Sequence, residues 1–86
     1  LKAKHILVEQ EFEAKDLLRK LAEGKPFEEL ARDFSLCGSA EDGGDLGEFS
    51  RGQMVASFEQ ALLKLKPGEI SGVVKTQFGY HLIKRL

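Results

Sequence analysis

An α+β fold built on a small, mainly antiparallel sheet is what this sequence predicts, and three observations carry that prediction. Strand-type alternation occurs near both ends of the chain, in "LKAKHILVE" and "GYHLIKRL". Three amphipathic helical stretches lie between them. Strand and helix segments do not alternate as parallel crossover units require.

In the first segment, residues 2 to 9, Ala3, His5 and Leu7 fall on one side and Lys4, Ile6 and Val8 on the other, which is the period of two of a strand. From Glu11, Phe12, Leu17, Leu18 and Leu21 recur near helical spacing with Ala14 between them, until Gly24 supplies a stop and Pro26 a start for the next helix. That helix, "PFEELARDF", carries Phe27, Leu30, Ala31 and Phe34 as its apolar stripe. Both helices are expected to cover one sheet face. After "SLCGSAEDGG" come the apolar pair Leu46 and Phe49, then a third helix, "SFEQALLKL", with Phe58, Ala61, Leu62 and Leu65 on one face. Pro67 and Gly68 of "KPGEI" suit the centre of a turn. "ISGVVKT" and "GYHLIKRL" then read as two strands of a hairpin, with "QFG" near the connection.

The chain has 86 residues, enough for one domain spanning residues 1–86 with a single modest core. With 42% hydrophobic and 31% charged residues and a formal net charge of −1, it lacks the electrostatic footprint of a nucleic-acid or anionic-membrane binder. No apolar run approaches the roughly 18 residues of a membrane span. The single cysteine, Cys37, excludes an internal disulfide.

The two histidines, His5 and His81, sit on the first and last strands. Pairing those strands, a common way to tie down both termini, brings the histidines together. Such a pair can be partly buried core, part of a metal site completed by Cys37, or the basic half of a cysteine nucleophile. Spacing alone does not choose among these.

"KHILV", "FEELARDFSLC", "GGDLGEFSRGQM" and "FEQALLKLKPGEISGVVKTQFGYHLIKRL", in that order, resemble the parvulin family of peptidyl-prolyl cis/trans isomerases from about Lys4 to Leu86. The resemblance implies a parvulin-like α+β fold, with a four-stranded, mainly antiparallel sheet covered by about four helices. It implies catalytic positions at His5, Cys37, Thr76 and His81. The family's proline pocket falls on Leu46, Met54 and Phe58, with Gln53 and Phe78 at its rim. No metal and no cofactor are expected, and the expected partners are proline-containing polypeptides. The domain is expected to be monomeric.

The chemistry can be stated from the residues themselves. Rotating an X–Pro amide costs roughly 18–20 kcal/mol because resonance is lost in the twisted state. An apolar pocket that grips the pyrrolidine ring, beside polar groups that favour the twisted carbonyl, lowers that barrier without breaking a bond. Family members that prefer phosphorylated substrates carry a basic cluster after the first strand. This chain has "VEQEFEAK" there, with Glu9, Glu11 and Glu13, so no phosphate preference is expected. With Phe78 at the pocket edge, the acidic loop favours an apolar, aromatic or basic residue before proline. The rival expectation is a non-catalytic chaperone domain of a larger folding factor that binds proline segments. A cytoplasmic isomerase is the expected setting, and an exported or cell-envelope folding factor is the alternative.

Overall fold

The computed structural model describes all 86 residues. Strand β1 (Lys2–Val8) leads to helices α1 (Glu11–Ala22) and α2 (Phe27–Phe34), followed by a short 3-10 helix (Gly38–Asp42) and strand β2 (Asp45–Glu48). Helix α3 (Ala56–Leu63) and the strands β3 (Val74–Thr76) and β4 (Gly79–Arg85) complete the chain. The sheet order is β2-β1-β4-β3, and every neighbouring pair is antiparallel.

The first and last strands form the centre. Their ladder runs from Ala3 opposite Arg85 to Val8 opposite Tyr80, and it sets Leu7 directly across from His81. His5 shares a face with Leu7 because side chains alternate along a strand, so it lies diagonally beside His81. On one face Ile6, Val8 and Leu82 pack against Ala14 and Leu17 of α1 and Phe27, Leu30 and Ala31 of α2. On the other, Ala3 and Ile83 pack against Phe49 and, from α3, Phe58 and Leu62. Ile6, Leu62, Leu82 and Ile83 are the largest fully buried side chains, and burying each stabilises the fold by about 1.5–3 kcal/mol.

The structure corrects several sequence expectations in detail. There are three α-helices rather than about four, since the fourth helical segment is a five-residue 3-10 turn closed by Gly43 in the left-handed region. Phe12 and Phe34 stand 71% and 44% exposed, so the buried stripes of α1 and α2 are narrower than the apolar spacing implied. α3 closes at Leu63 and leaves Leu65 in the following turn, although Leu65 still packs against the second cluster. Within "ISGVVKT" only Val74–Thr76 is strand, while Ile70 makes an isolated bridge to Lys84. There the Ser71 hydroxyl replaces a backbone partner: its oxygen accepts the Ile83 amide at 3.0 Å and it donates to the Gly72 carbonyl at 2.8 Å.

One glycine sets the approach to β2. The Gly44 carbonyl accepts the His5 amide at 2.9 Å, Gly44 has φ +86, and a Cβ there would press on the His5 carbonyl oxygen and lie 3.1 Å from the Ala31 Cβ. Left-handed backbone costs an L-residue roughly 1–2 kcal/mol before any clash. Gly44→Ala is therefore expected to destabilise the fold by more than about 2 kcal/mol in urea unfolding. Gly38→Ala, where a Cβ meets nothing within 4 Å, is expected to stay within about 1 kcal/mol of the parent. Equal losses at both positions would refute the steric account.

Candidate active site

A cavity of about 390 Å³ opens beside α3, on the sheet face that carries the two histidines. β1 contributes His5 and Leu7, and β4 contributes His81. Leu46 comes from β2, Phe58 from the first turn of α3, and Gln53, Met54 and Val55 from the segment before it. Cys37 and Phe78 complete the lining. No Lys, Arg, Asp or Glu lines the cavity. Its walls suit an apolar ring, and its floor is made of imidazoles.

The floor is tightly connected. His5 Nδ1 and His81 Nδ1 lie 3.1 Å apart, with the rings nearly parallel at 19°. Phe58 meets both rings edge-on, with centroids 5.6 Å from His5 and 5.5 Å from His81. On the far side, Thr76 Oγ1 is 2.7 Å from His81 Nε2, and the same oxygen accepts the Phe78 amide at 3.2 Å. Thr76 is buried behind His81 and does not line the cavity.

Counting hydrogens orients this relay. Each neutral imidazole has one N–H donor and one acceptor nitrogen. If the Thr76 hydroxyl donates to His81 Nε2, then His81 Nδ1–H donates to His5 Nδ1, and the only unmet group is the His5 Nε2–H. In the opposite sense the threonine hydrogen and the His5 Nε2 lone pair are both left without partners. The first arrangement is favoured because an unmet buried polar group costs roughly 1–3 kcal/mol. In either sense His5 Nε2 is buried and unpaired, at a residue that lines the cavity.

Burial disfavours the charged form of both rings. Desolvation, and then the neighbouring His81, lower the pKa of His5 from 6.5 to about 4. Desolvation also lowers that of His81. Cys37 is held differently: Ser35 Oγ accepts the amides of Leu7 at 3.1 Å and Cys37 at 3.4 Å, while the Leu36 amide donates to the Leu7 carbonyl at 2.8 Å. The segment before the 3-10 helix is thereby fastened to the end of β1. No group of three or more His, Cys, Asp or Glu side chains is arranged to hold a metal ion.

Eight of the nine residues singled out by sequence converge on this cavity, and Thr76 supports it from behind. Sequence reasoning missed Leu7, Val55 and Ser35 as parts of the site. Leu7 was available in principle, because it shares the alternation of His5, and Val55 adjoins Met54. Ser35 gave no signal, since its importance is a tertiary hydrogen bond.

A sheet that joins both termini under a largely apolar, histidine-floored cavity with no charged lining residue defines a domain with room for a small apolar group. The chain belongs to the rotamase family of PPIC-type peptidyl-prolyl isomerase domains, whose family model matches residues 3–86. It is 55% identical over 85 residues to foldase protein PrsA 1 of Bacillus cereus, an alignment covering 98% of this chain and 30% of that protein. Its fold matches the solution structure of NmPin, the parvulin of Nitrosopumilus maritimus, with a TM-score of 0.88 and 46% identity, covering all of this chain and 94% of that one. It also matches a chain of Campylobacter jejuni described among two SurA-like chaperones, one of them periplasmic, with a TM-score of 0.91 and 44% identity. That match covers 98% of this chain and 36% of the other. The chain thus spans about a third of the length of the foldase relatives it matches.

The depressed pKa values predict a pH response. A histidine whose folded pKa lies below its unfolded value favours folding fully above the unfolded value, and that contribution is lost as pH falls toward the folded one. His5 is expected to remain neutral at pH 6 by NMR titration of its ring resonances, and His81 to titrate below the ordinary histidine value. Folding stability is expected to decline as pH drops below 6.5 toward about 4, the His5 value. A ring titrating near 6.5 would refute the burial account.

Proposed function

We propose that residues 1–86 form a single catalytic domain of a longer folding factor, which accelerates rotation about X–Pro bonds in unphosphorylated polypeptides. The observation that carries this reading is the uncharged cavity lined by Leu46, Met54 and Phe58 above the His5 and His81 pair. Met54, Phe58 and Leu46 grip the pyrrolidine ring, with the flexible thioether following its pucker. Gln53 and Phe78 meet the chain at the rim. The carbonyl side rotates past Cys37 and the histidine floor, where Thr76 fixes the tautomer of His81 and, through it, that of His5.

Rotation makes the proline nitrogen more basic and the carbonyl more ketone-like. The groups around the reacting amide are neutral and preorganised, so they need little rearrangement as the amide twists. Cys37 acts without covalent attack, because the reaction has no leaving group and aspartate often fills this position in the family. No cofactor takes part. The reading calls for no second chain, and the proposed working unit is a monomer.

Substrate choice follows from charge. No cation lines the cavity to receive a phosphate. Glu11 and Glu13 sit in the first turn of α1, just after exposed Glu9, and their charge disfavours a phosphorylated residue before proline while favouring a basic or apolar one. The PrsA and SurA-like relatives support an exported folding factor as the setting, in preference to the cytoplasmic one. Their description as foldases and chaperones also keeps open a second reading, in which the same cavity holds proline segments without isomerising them.

Cis/trans exchange measured by NMR on a peptide panel separates these readings. The parent domain is expected to accelerate exchange in unphosphorylated peptides, with no large gain from phosphoserine or phosphothreonine before proline. Met54→Ala is expected to slow exchange at least about tenfold, the cost of losing most of one buried side chain contact. Peptide binding without acceleration by the parent would establish the binding-only reading.

Cys37→Asp supplies a separate test of the chemistry. It is expected to keep exchange within about tenfold of the parent, since a polar group suffices at that position. Loss as complete as that of a required nucleophile would show that Cys37 attacks covalently.

A further inference from the structure

The stretch from Ser50 to Met54 carries two cavity-lining side chains, Gln53 and Met54, yet it contains neither helix nor strand. Two side-chain oxygens hold its backbone. Gln53 Oε1 accepts the Ser50 amide at 2.7 Å, a bond internal to the loop that would survive if the loop moved as a body. Glu59 Oε1 accepts the Gly52 amide, also at 2.7 Å. That second bond is the one side-chain hydrogen bond tying the loop to α3.

Glu59 is well placed to hold it. The residue follows Phe58 in the first turn of α3, where the helix N-terminus favours a negative charge. It takes part in no ion pair, so its carboxylate is free for the amide. Gly52 has φ +89, with nothing near the place a Cβ would occupy. Its left-handed turn therefore serves the direction of the chain and of its N–H, not the relief of a clash.

We propose that Glu59 is a positioning residue for the proline pocket: its carboxylate latches the loop to α3 and holds the wall made by Met54 and Gln53 in its binding position. The inference rests on the cavity being the substrate site proposed above. With the latch cut, the loop samples open positions, and apparent affinity falls in proportion to the fraction still closed. The latch is the same whether the bound amide is planar or twisted. Its loss therefore raises KM and leaves kcat nearly unchanged.

The test compares Glu59→Ala and Glu59→Gln with the parent, and uses Glu69→Ala as control. Glu69 makes the same kind of bond, accepting the Lys66 amide at 2.6 Å, but in a turn joined to Arg85 at the other end of β4. For each protein, an unphosphorylated proline peptide gives Kd by NMR titration and KM and kcat by exchange. Hydrogen exchange of the Gly52 amide and the thermal midpoint are followed in parallel.

Glu59→Ala is expected to raise Kd and KM about three- to tenfold, the range for losing one hydrogen bond of ordinary net strength at an exposed position. It should hold kcat within about twofold and expose the Gly52 amide to exchange. Glu59→Gln, which keeps the accepting oxygen, should restore most of the affinity and the protection, and Glu69→Ala should change neither. Unchanged Kd in Glu59→Ala, failure of the glutamine variant to rescue, or a fall in kcat together with the thermal midpoint would each overturn the proposal. If the parent binds the peptide without accelerating exchange, the catalytic reading fails while the Kd comparison still decides the role of Glu59. A parent that does not bind at all overturns both.

Discussion

The antiparallel pairing of β1 with β4 is the constraint on which the rest of this domain depends. It joins residues near opposite ends of the chain, from Ala3 with Arg85 to Val8 with Tyr80. Closing so long a loop carries an entropic cost that grows only slowly with length, and a continuous ladder with apolar side chains on both faces offsets it. The same register sets His81 opposite Leu7 and diagonal to His5. The imidazole contact is thus a by-product of strand alignment. A slip of one residue by either strand would turn its histidine to the other face, beneath α1 and α2, and separate the pair.

The two faces of the sheet are used unequally. α1 and α2 cover one with the larger of the two apolar clusters. The other has a single eight-residue helix, α3, and that economy leaves the end of the sheet uncovered. The cavity occupies the uncovered end. Phe58 belongs to both parts: it is 3% exposed within the second cluster, and it stands edge-on to both histidines. Packing at this residue and the shape of the cavity cannot be varied independently.

Where a feature depended on periodicity, the sequence revealed it. Alternation in "LKAKHILVE" placed His5 with Leu7 and Ala3, and pairing the terminal strands then gave the histidine contact before any geometry was known. The helical spacing around Leu17, Leu30 and Leu62 likewise located the cores. Features that depend on competition for hydrogen bonds were hidden. "ISGVVKT" has the composition of a full strand, yet Ser71 turns its hydroxyl to the backbone and limits the ladder to three residues. Ser35 secures the Cys37 segment through an oxygen whose partners are distant in sequence. Phe12 and Phe34 match a helical stripe but lie at its margins, where periodicity cannot tell contact from exposure. The roles given to the site residues came from resemblance to a family, because spacing alone left core, metal and nucleophile readings open.

Because the central ladder needs β4, the last strand to be made, order of synthesis has a consequence for when this domain can work. A chain that has emerged through α3 already contains His5, Cys37, Met54 and Phe58, but it lacks Thr76 and His81 and has no partner for the inner edge of β1. Helices α1 and α2 can form early, since their contacts are local, whereas the sheet must wait for a pairing of high sequence separation, the kind that sets slow folding. The histidine floor therefore assembles in the final step, and a nascent or truncated chain has no partial version of it. The complete site arrives all at once, with the closing of the fold.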